Sequence, residues 1–444
     1  MKYRYILSIL TLLCTVSMHA QEQDRLVYSL QDCIQRGLEN NLGLQVTRNN
    51  EQIAHNNATL ANAGALPTLD LTSALRPDLT VSSHSTSRAT GEETSSSGVF
   101  DYGANAGVAL NWTLFDGFKI QTNYRQLRLL EARGETDTRI AVENLIADIA
   151  SEYYSYIQQI IRRSHYRYAL RLSKERLRIA ELNYQTGRFS GLDYHLAKVD
   201  FNSDSAQYVK QQQTVRATLI RLNTLMSNAN IDQRINVPDS SIVVRDDLVF
   251  EALWQKTLDA NASLLRATQS TMIAETDYKK VTSRNYPYLK LNAQYAYNFN
   301  HYEESATLKR DNMNLNGGLT MGINIFDGNR RRERKNAEIA IENSKLQRES
   351  IELQLHASLR TFWDAYRNNL ELLALQQQNL EIAESNLEIA MERYKLGDLS
   401  GFDMRQVQKN LLDAEERVLQ VQYDAKLCEI SLLQISGGIG YYLE

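Results

Sequence analysis

Cysteine, proline, histidine and long apolar runs are all scarce in this 444-residue chain, and each scarcity excludes something. There are three cysteines. Cys14 lies in the extreme N-terminal segment, and Cys33 and Cys428 stand at opposite ends of the chain in helical contexts. They read as small buried hydrophobes rather than as a disulfide framework. The four prolines are Pro67, Pro77, Pro238 and Pro287. Neither 78–237 nor the stretch after 287 contains one, so helices of unusual length are permitted there. No segment approaches the roughly 18 consecutive apolar residues of a membrane helix. That absence leaves membrane β-strands open, because their alternation hides from hydropathy scans. The seven histidines are scattered. The sequence has no His-Glu-x-x-His, phosphate-cradling loop or nucleophile elbow, so no enzyme class, cofactor or metal is indicated. Gly437, Gly438 and Gly440 follow a helix with no strand before them and read as a C-terminal cap. A net charge of −4, with acids and bases interspersed, points to no nucleic-acid surface.

What is present begins with residues 1–20. Lys2 and Arg4 precede an apolar run over 6–13, and Ala20 stands before polar Gln21. This is the pattern of a secretory signal peptide. Leu13 precedes Cys14 where a lipoprotein needs a small residue, which argues against lipidation. The rest is expected to be exported.

The most informative feature is an internal duplication. Tyr184, Gly187, Ser190, Gly191 and Asp193 return in register as Tyr394, Gly397, Ser400, Gly401 and Asp403, 210 residues later. Phe115-Asp116-Gly117 returns as Phe326-Asp327-Gly328, and Leu66-Pro67 before Leu69 and Leu71 returns as Tyr286-Pro287 before Leu289 and Leu291. Two repeats are therefore expected, 21–230 and 231–444, each ordered helix, strand, loop, strand, very long helix, tip and helix. Over 330–396, Ala337, Ile341, Leu355, Leu359, Phe362, Tyr366, Leu373, Leu380, Leu387 and Tyr394 keep helical spacing, and charged residues fill the other faces. Residues 118–186 are the counterpart, with Gly134 a local weak point. About 68 residues of helix would extend roughly 100 Å, far more than a globular domain needs.

Strands are expected at about 67–80, 101–115, 287–300 and 312–326. Tyr102, Ala104, Ala106, Val108, Leu110, Trp112 and Leu114 alternate with small or polar residues, and the other segments repeat the pattern with asparagine on the polar side. One apolar and one uncharged polar face suit a barrel wall between lipid and water. An ordinary half-buried sheet shows the same alternation, but helices this long leave it no globular partner. Residues 76–101 and 300–311 read as loops. Four strands cannot close a membrane barrel, which takes about eight, and lipid does not tolerate open edges. The chain must associate: a dimer would supply eight strands and a trimer twelve. An exported coiled-coil stalk or adhesin without channel activity is the alternative, which the amphipathic strand pairs oppose. The basic run from Arg330 suits solvated helix surface or a headgroup boundary.

With these motifs in order, the chain resembles the TolC/OprM family of outer-membrane export channels along its whole length after residue 20. The resemblance also covers Ser29 to Asn41, which looks like the family's first helix, and the terminal Leu432-Leu433-Gln434-Ile435-Ser436-Gly437. It implies a mixed α and β membrane protein: a homotrimer with a 12-stranded transmembrane β-barrel, four strands per chain, continued by a long periplasmic α-helical barrel. The implied partners are outer-membrane lipid, a periplasmic adaptor (membrane fusion protein), and an inner-membrane pump of the RND, ABC or MFS class that supplies the energy. The channel itself is implied to be a passive duct in tripartite efflux or type I secretion, with no cofactor. By position, Asp403, Tyr394, Asp193 and Gln406 would form the periplasmic gate. Tyr184, Gly187, Arg188, Ser190, Gly397 and Ser400 would form the tips that meet the adaptor. Where the family prototype has a second tip aspartate this chain has Gln406, and where it has an arginine after the tip glycine this chain has Leu399. Plain helix capping by the glycines, serines and aspartates is the competing reading of the same residues.

Overall fold

The computed structural model describes residues 27–239, 241–305 and 307–443. The segment read as a signal peptide lies outside the described residues. The elements in chain order are α1 (Leu30–Asn40), α2 (Leu42–Asn57), α3 (Leu60–Ala63), β1 (Thr68–Thr80), β2 (Ser83–Thr86), β3 (Glu93–Ser96) and β4 (Val99–Asp116). They continue with α4 (Lys119–Gln185), α5 (Gly191–Leu225), α6 (Phe250–Ala260), α7 (Ala262–Ser283), β5 (Tyr288–His301), β6 (Lys309–Gly322), α8 (Gly328–Leu396) and α9 (Gly401–Ile435). A short 3₁₀ turn, Ile439–Leu443, ends the described chain. No helix among the described residues is long and apolar enough to cross a membrane.

The chain divides into two compact units, each drawn from both sequence repeats. Among the described residues one comprises 27–48, 137–265 and 351–443, the other 49–136 and 266–350. The first unit is helical. Its core gathers Cys33 and Ile34 of α1, Ile146, Ile149, Tyr153 and Ile157 of α4, and Leu219 and Leu222 of α5. Ser29 starts α1 with a reciprocal capping box to Asp32, which satisfies two otherwise unpaired backbone donors. Gly37 is dictated by packing, since a Cβ there would lie 2.2 Å from Ile149 Cδ1. Cys33 and Cys428 are both buried and free, in different apolar clusters. Burial pushes the Cys33 thiol up to about 12, so it behaves as a hydrophobe.

The second unit holds an antiparallel sheet in the order β1-β4-β5-β6. Strands of one repeat pair with each other, and β4 with β5 joins the repeats. The register aligns the alternation of every strand. Leu71 faces Val108, Val108 faces Tyr295, and Tyr295 faces Leu315. On the opposite face Asn105 meets Asn298, which meets Asn312. A slip of one residue would mix the two faces, so side-chain period and pairing enforce each other. The apolar face is open: Leu71, Leu75, Leu315 and Met321 are each at least 74% exposed. Pro77 lies in β1, the outer strand of the sheet within one chain, opposite Tyr102 of β4.

Two expectations from the sequence need correction. The last strand runs from Lys309 to Gly322 rather than over 312–326, and residues 323–327 are irregular. Its partner β5 begins at Tyr288, paired with Gly322, immediately after Pro287, so the ladder has nothing to continue on. The ring of Tyr288 also covers Gly322, where a Cβ would lie 2.5 Å from Tyr288 Cζ. The connector 76–101, read as a loop, contains the end of β1, the start of β4 and the small hairpin β2–β3. Its Ser/Thr-rich pairs carry no apolar stripe to announce a strand. Gly134 leaves α4 unbroken and admits a close neighbour, a Cβ there lying 3.4 Å from Ala54 Cβ.

Candidate functional site

In the helical unit two tips, at residues 186–190 and 397–400, turn α4 into α5 and α8 into α9. Their local chemistry follows from residue type. Gly187 (φ 73°) and Gly397 (φ 89°) take the left-handed conformation that ends a helix, which a Cβ would strain. Ser190 then caps α5: its Oγ accepts the Asp193 backbone N–H at 3.3 Å, and Asp193 Oδ2 accepts the Ser190 N–H at 3.0 Å. Ser400 caps α9 through the Asp403 N–H at 3.1 Å and donates its hydroxyl to Asp403 Oδ2 at 2.7 Å. Asp193 and Asp403 thus serve capping geometry in each copy, and both are exposed. Arg188 is exposed, its backbone N–H held by Asn183 O at 2.8 Å. Gln406 is exposed and donates to Asn410 at 2.8 Å. Tyr184 is exposed and stacks on Tyr194, with centroids 5.7 Å apart.

Tyr394 is different. It is 1% exposed, packed with Ile179, Leu387, Met404 and Leu411, and its ring lies 6.3 Å from that of Phe189 at the other tip. The two tips therefore share one apolar cluster. The Tyr394 hydroxyl sits 3.5 Å from the Arg176 carbonyl, and burial raises its pKa.

Beneath this cluster lies a polar core that sequence reasoning missed. Arg405 of α9 holds Asp204 of α5 in a bidentate pair at 2.7 and 2.8 Å. Asp204 is 4% exposed and also accepts from the Ser173 hydroxyl. Arg176 of α4, 2% exposed, pairs with Asp200, which lies 3.6 Å from Arg405 Nε. Gln408 donates to Ala169 O and Ser173 Oγ, each at 2.9 Å. Burial pulls the Arg176 guanidinium below its ordinary pKa, with Asp200 opposing. Further along, Glu415 is raised to about 7 by burial and by its neighbours Glu384 and Glu416, and it lies 3.9 Å from His165 Nδ1. The available signal was spacing: Asp204 and Gln211 fall at seven-residue steps between Ala197 and Thr218, all four buried. Among the described residues no group of three His, Cys, Asp or Glu side chains is placed to hold a metal ion.

An exposed apolar periodicity accompanies the site. Ile382, Ile389 and Leu396 recur every seven residues on α8, and Leu192, Leu196 and Val199 form a matching stripe on α5. Each is at least 51% exposed. Such seams are the signature of helices that expect further helices.

Solved structures share this fold. They include a membrane protein from Pseudomonas aeruginosa, 16% identical, covering 92% of this chain and 93% of that one with a TM-score of 0.76. The Campylobacter jejuni CmeC outer membrane channel is 16% identical, with 92% and 85% coverage and a TM-score of 0.76. The open state of the Neisseria gonorrhoeae MtrE outer membrane channel is 15% identical, with 92% and 89% coverage and a TM-score of 0.66. No curated protein sequence matches the chain. The profile of the outer membrane efflux protein family matches twice, over residues 33–228 and again over 253–438, one match in each repeat. With both repeats accounted for, the chain belongs to the outer membrane efflux protein family.

Proposed function

We propose that this chain, a subunit of an outer-membrane efflux channel, works as a homotrimer whose three sheets close one 12-stranded barrel. The observation that carries this reading is the sheet itself. It has one continuous apolar face, one asparagine-rich face, and two unpaired edges at β1 and β6. Unpaired edges are not viable in hydrocarbon, so neighbouring copies must supply the missing ladders. The exposed seams on α5 and α8 favour the same association.

In this reading the helical unit lies in the periplasm and the tips meet a periplasmic adaptor through Tyr184, Gly187, Arg188, Ser190, Gly397 and Ser400. An inner-membrane pump of the RND, ABC or MFS class supplies energy and selects cargo. The duct conducts passively. Asp403, Tyr394, Asp193 and Gln406 belong to the periplasmic gate. Three copies of exposed Asp403 around an axis would attract cations there. A single acidic ring is expected, because Gln406 carries no charge.

Native mass spectrometry of the detergent-extracted protein tests the assembly. A heat-modifiable species of three chains is expected; a monomer that leaves the membrane fraction on a salt wash contradicts it.

A further inference from the structure

The apolar stripe of β6 does not stop where the strand does. Leu315, Leu319 and Met321 are followed by Ile323, Ile325 and Phe326, the last two 91% and 87% exposed. Immediately beyond Phe326 the character reverses, and positions 330–335 hold five basic residues and one acid. These residues crowd the start of α8, where the helix dipole is already positive, so their mutual placement is unfavourable without an anion.

The nearby acids are all engaged, only Glu338 with a member of the cluster. Glu333 pairs with Arg284 at 2.6 Å, Glu338 pairs with Arg334 at 3.2 Å, and Asp327 Oδ1 accepts the Asn329 N–H at 2.9 Å. Among the described residues, Arg331, Arg332 and Lys335 meet no carboxylate. Arg330 is held by Asn285 Oδ1 and Asn324 O, both at 2.8 Å, while its Nε is buried without a partner. Arg330, Arg331 and Arg334 line a cleft of about 400 Å³ whose wall includes Ile325 and Phe326.

We propose that this cleft binds the headgroup phosphate of an anionic phospholipid, with Ile325 and Phe326 set into the acyl region beside it. A free anion would need the cations but not two exposed hydrophobes adjoining them. The order apolar strand, exposed aromatic, basic cluster is the profile of a membrane boundary read from hydrocarbon outward. The site rests on the reading that the sheet crosses the outer membrane.

The test is native mass spectrometry of the detergent-extracted protein, titrated with phosphatidylglycerol or phosphatidylcholine. Wild type should retain phosphatidylglycerol preferentially. R331Q/R334Q should retain it about thirtyfold less well, the combined effect of two basic contacts at a lipid surface. R360Q/R367Q, an equal charge change elsewhere on α8, should match wild type, and R331K should keep most of the retention that R331Q loses. Equal retention by R331Q/R334Q overturns the site, as does competition by millimolar inorganic phosphate. Loss of the oligomer in that variant with lipid retained overturns it too, because the cluster then faces a second copy. If wild type cannot be recovered from the outer-membrane fraction, the membrane reading itself fails and takes this site with it. Recovery there without lipid preference fails the site alone.

Discussion

At the residue scale, one side chain can serve its own helix and the assembly together. The Asp403 carboxylate accepts the hydroxyl of Ser400, the cap of α9, yet it is exposed and can present charge. Replacing it by alanine removes the charge and the acceptor of the Ser400 hydroxyl but keeps the backbone N–H that Ser400 caps, so the stability cost is only about 0.5 kcal/mol, that of an acidic group in a first helical turn. D403A is expected to lower the melting temperature slightly while making the channel leakier and less cation-selective, read as reversal potential in a salt gradient. Unchanged selectivity would leave Asp403 only its local role in the first turn of α9. The buried pair behaves differently. Removing Arg405 strands Asp204 in the core, and breaking such a pair costs on the order of 3 kcal/mol. R405A should therefore unfold well below wild type in a thermal melt, and an unchanged melt would contradict the pairing. Glu415 carries a pH dependence. Its folded value of about 7 exceeds the ordinary glutamate value of 4.5, so between them the folded state binds a proton that the unfolded chain has released. Its contribution is full below 4.5 and declines as pH rises to about 7. E415Q should flatten that decline in melts taken across the window. Asp193 and Asp403 were visible in the sequence as repeated letters. Arg405 and Asp204 were not, because a charge at a core position looks like a charge on a surface until its partner 201 residues away is placed beside it.

At the scale of elements, the tips show how little sequence is needed to turn a helix back. A glycine in the left-handed region ends each long helix, and a serine three residues later starts the next. Gly187→Ala and Gly397→Ala should each cost about 1 kcal/mol, since a Cβ is strained at those angles. S190A and S400A should cost a similar amount, with S190A the larger loss because its box with Asp193 is reciprocal. Differential scanning calorimetry of the four variants checks the order. These tips were legible because they occur twice and because Gly and Ser do here what they do at any helix end. The end of β6 was not legible. Ile323 and Ile325 keep the strand alternation in the sequence, but the ladder is set by Pro287 and Tyr288 on the partner strand. Alternation reports which face a residue would take, not whether a partner is present. The hairpin β2–β3 was missed for the opposite reason, since Ser83–Thr86 and Glu93–Ser96 pair with no apolar face at all.

At the scale of the whole molecule, the duplication and the open sheet carry most of the account. The two matches to the family fall one in each repeat, yet each compact unit takes segments from both, and in the second unit β4 of one repeat pairs with β5 of the other. That pairing was not readable from Val108 or Tyr295 alone; it needed the register in which they meet. The proposed closure of the sheet and conduction through it would be properties of several chains together. Single-channel recording of the purified protein in planar bilayers tests them most directly. Discrete, cation-biased openings from a three-chain species are predicted, and a protein that inserts yet passes no current, or that never inserts, would contradict the account.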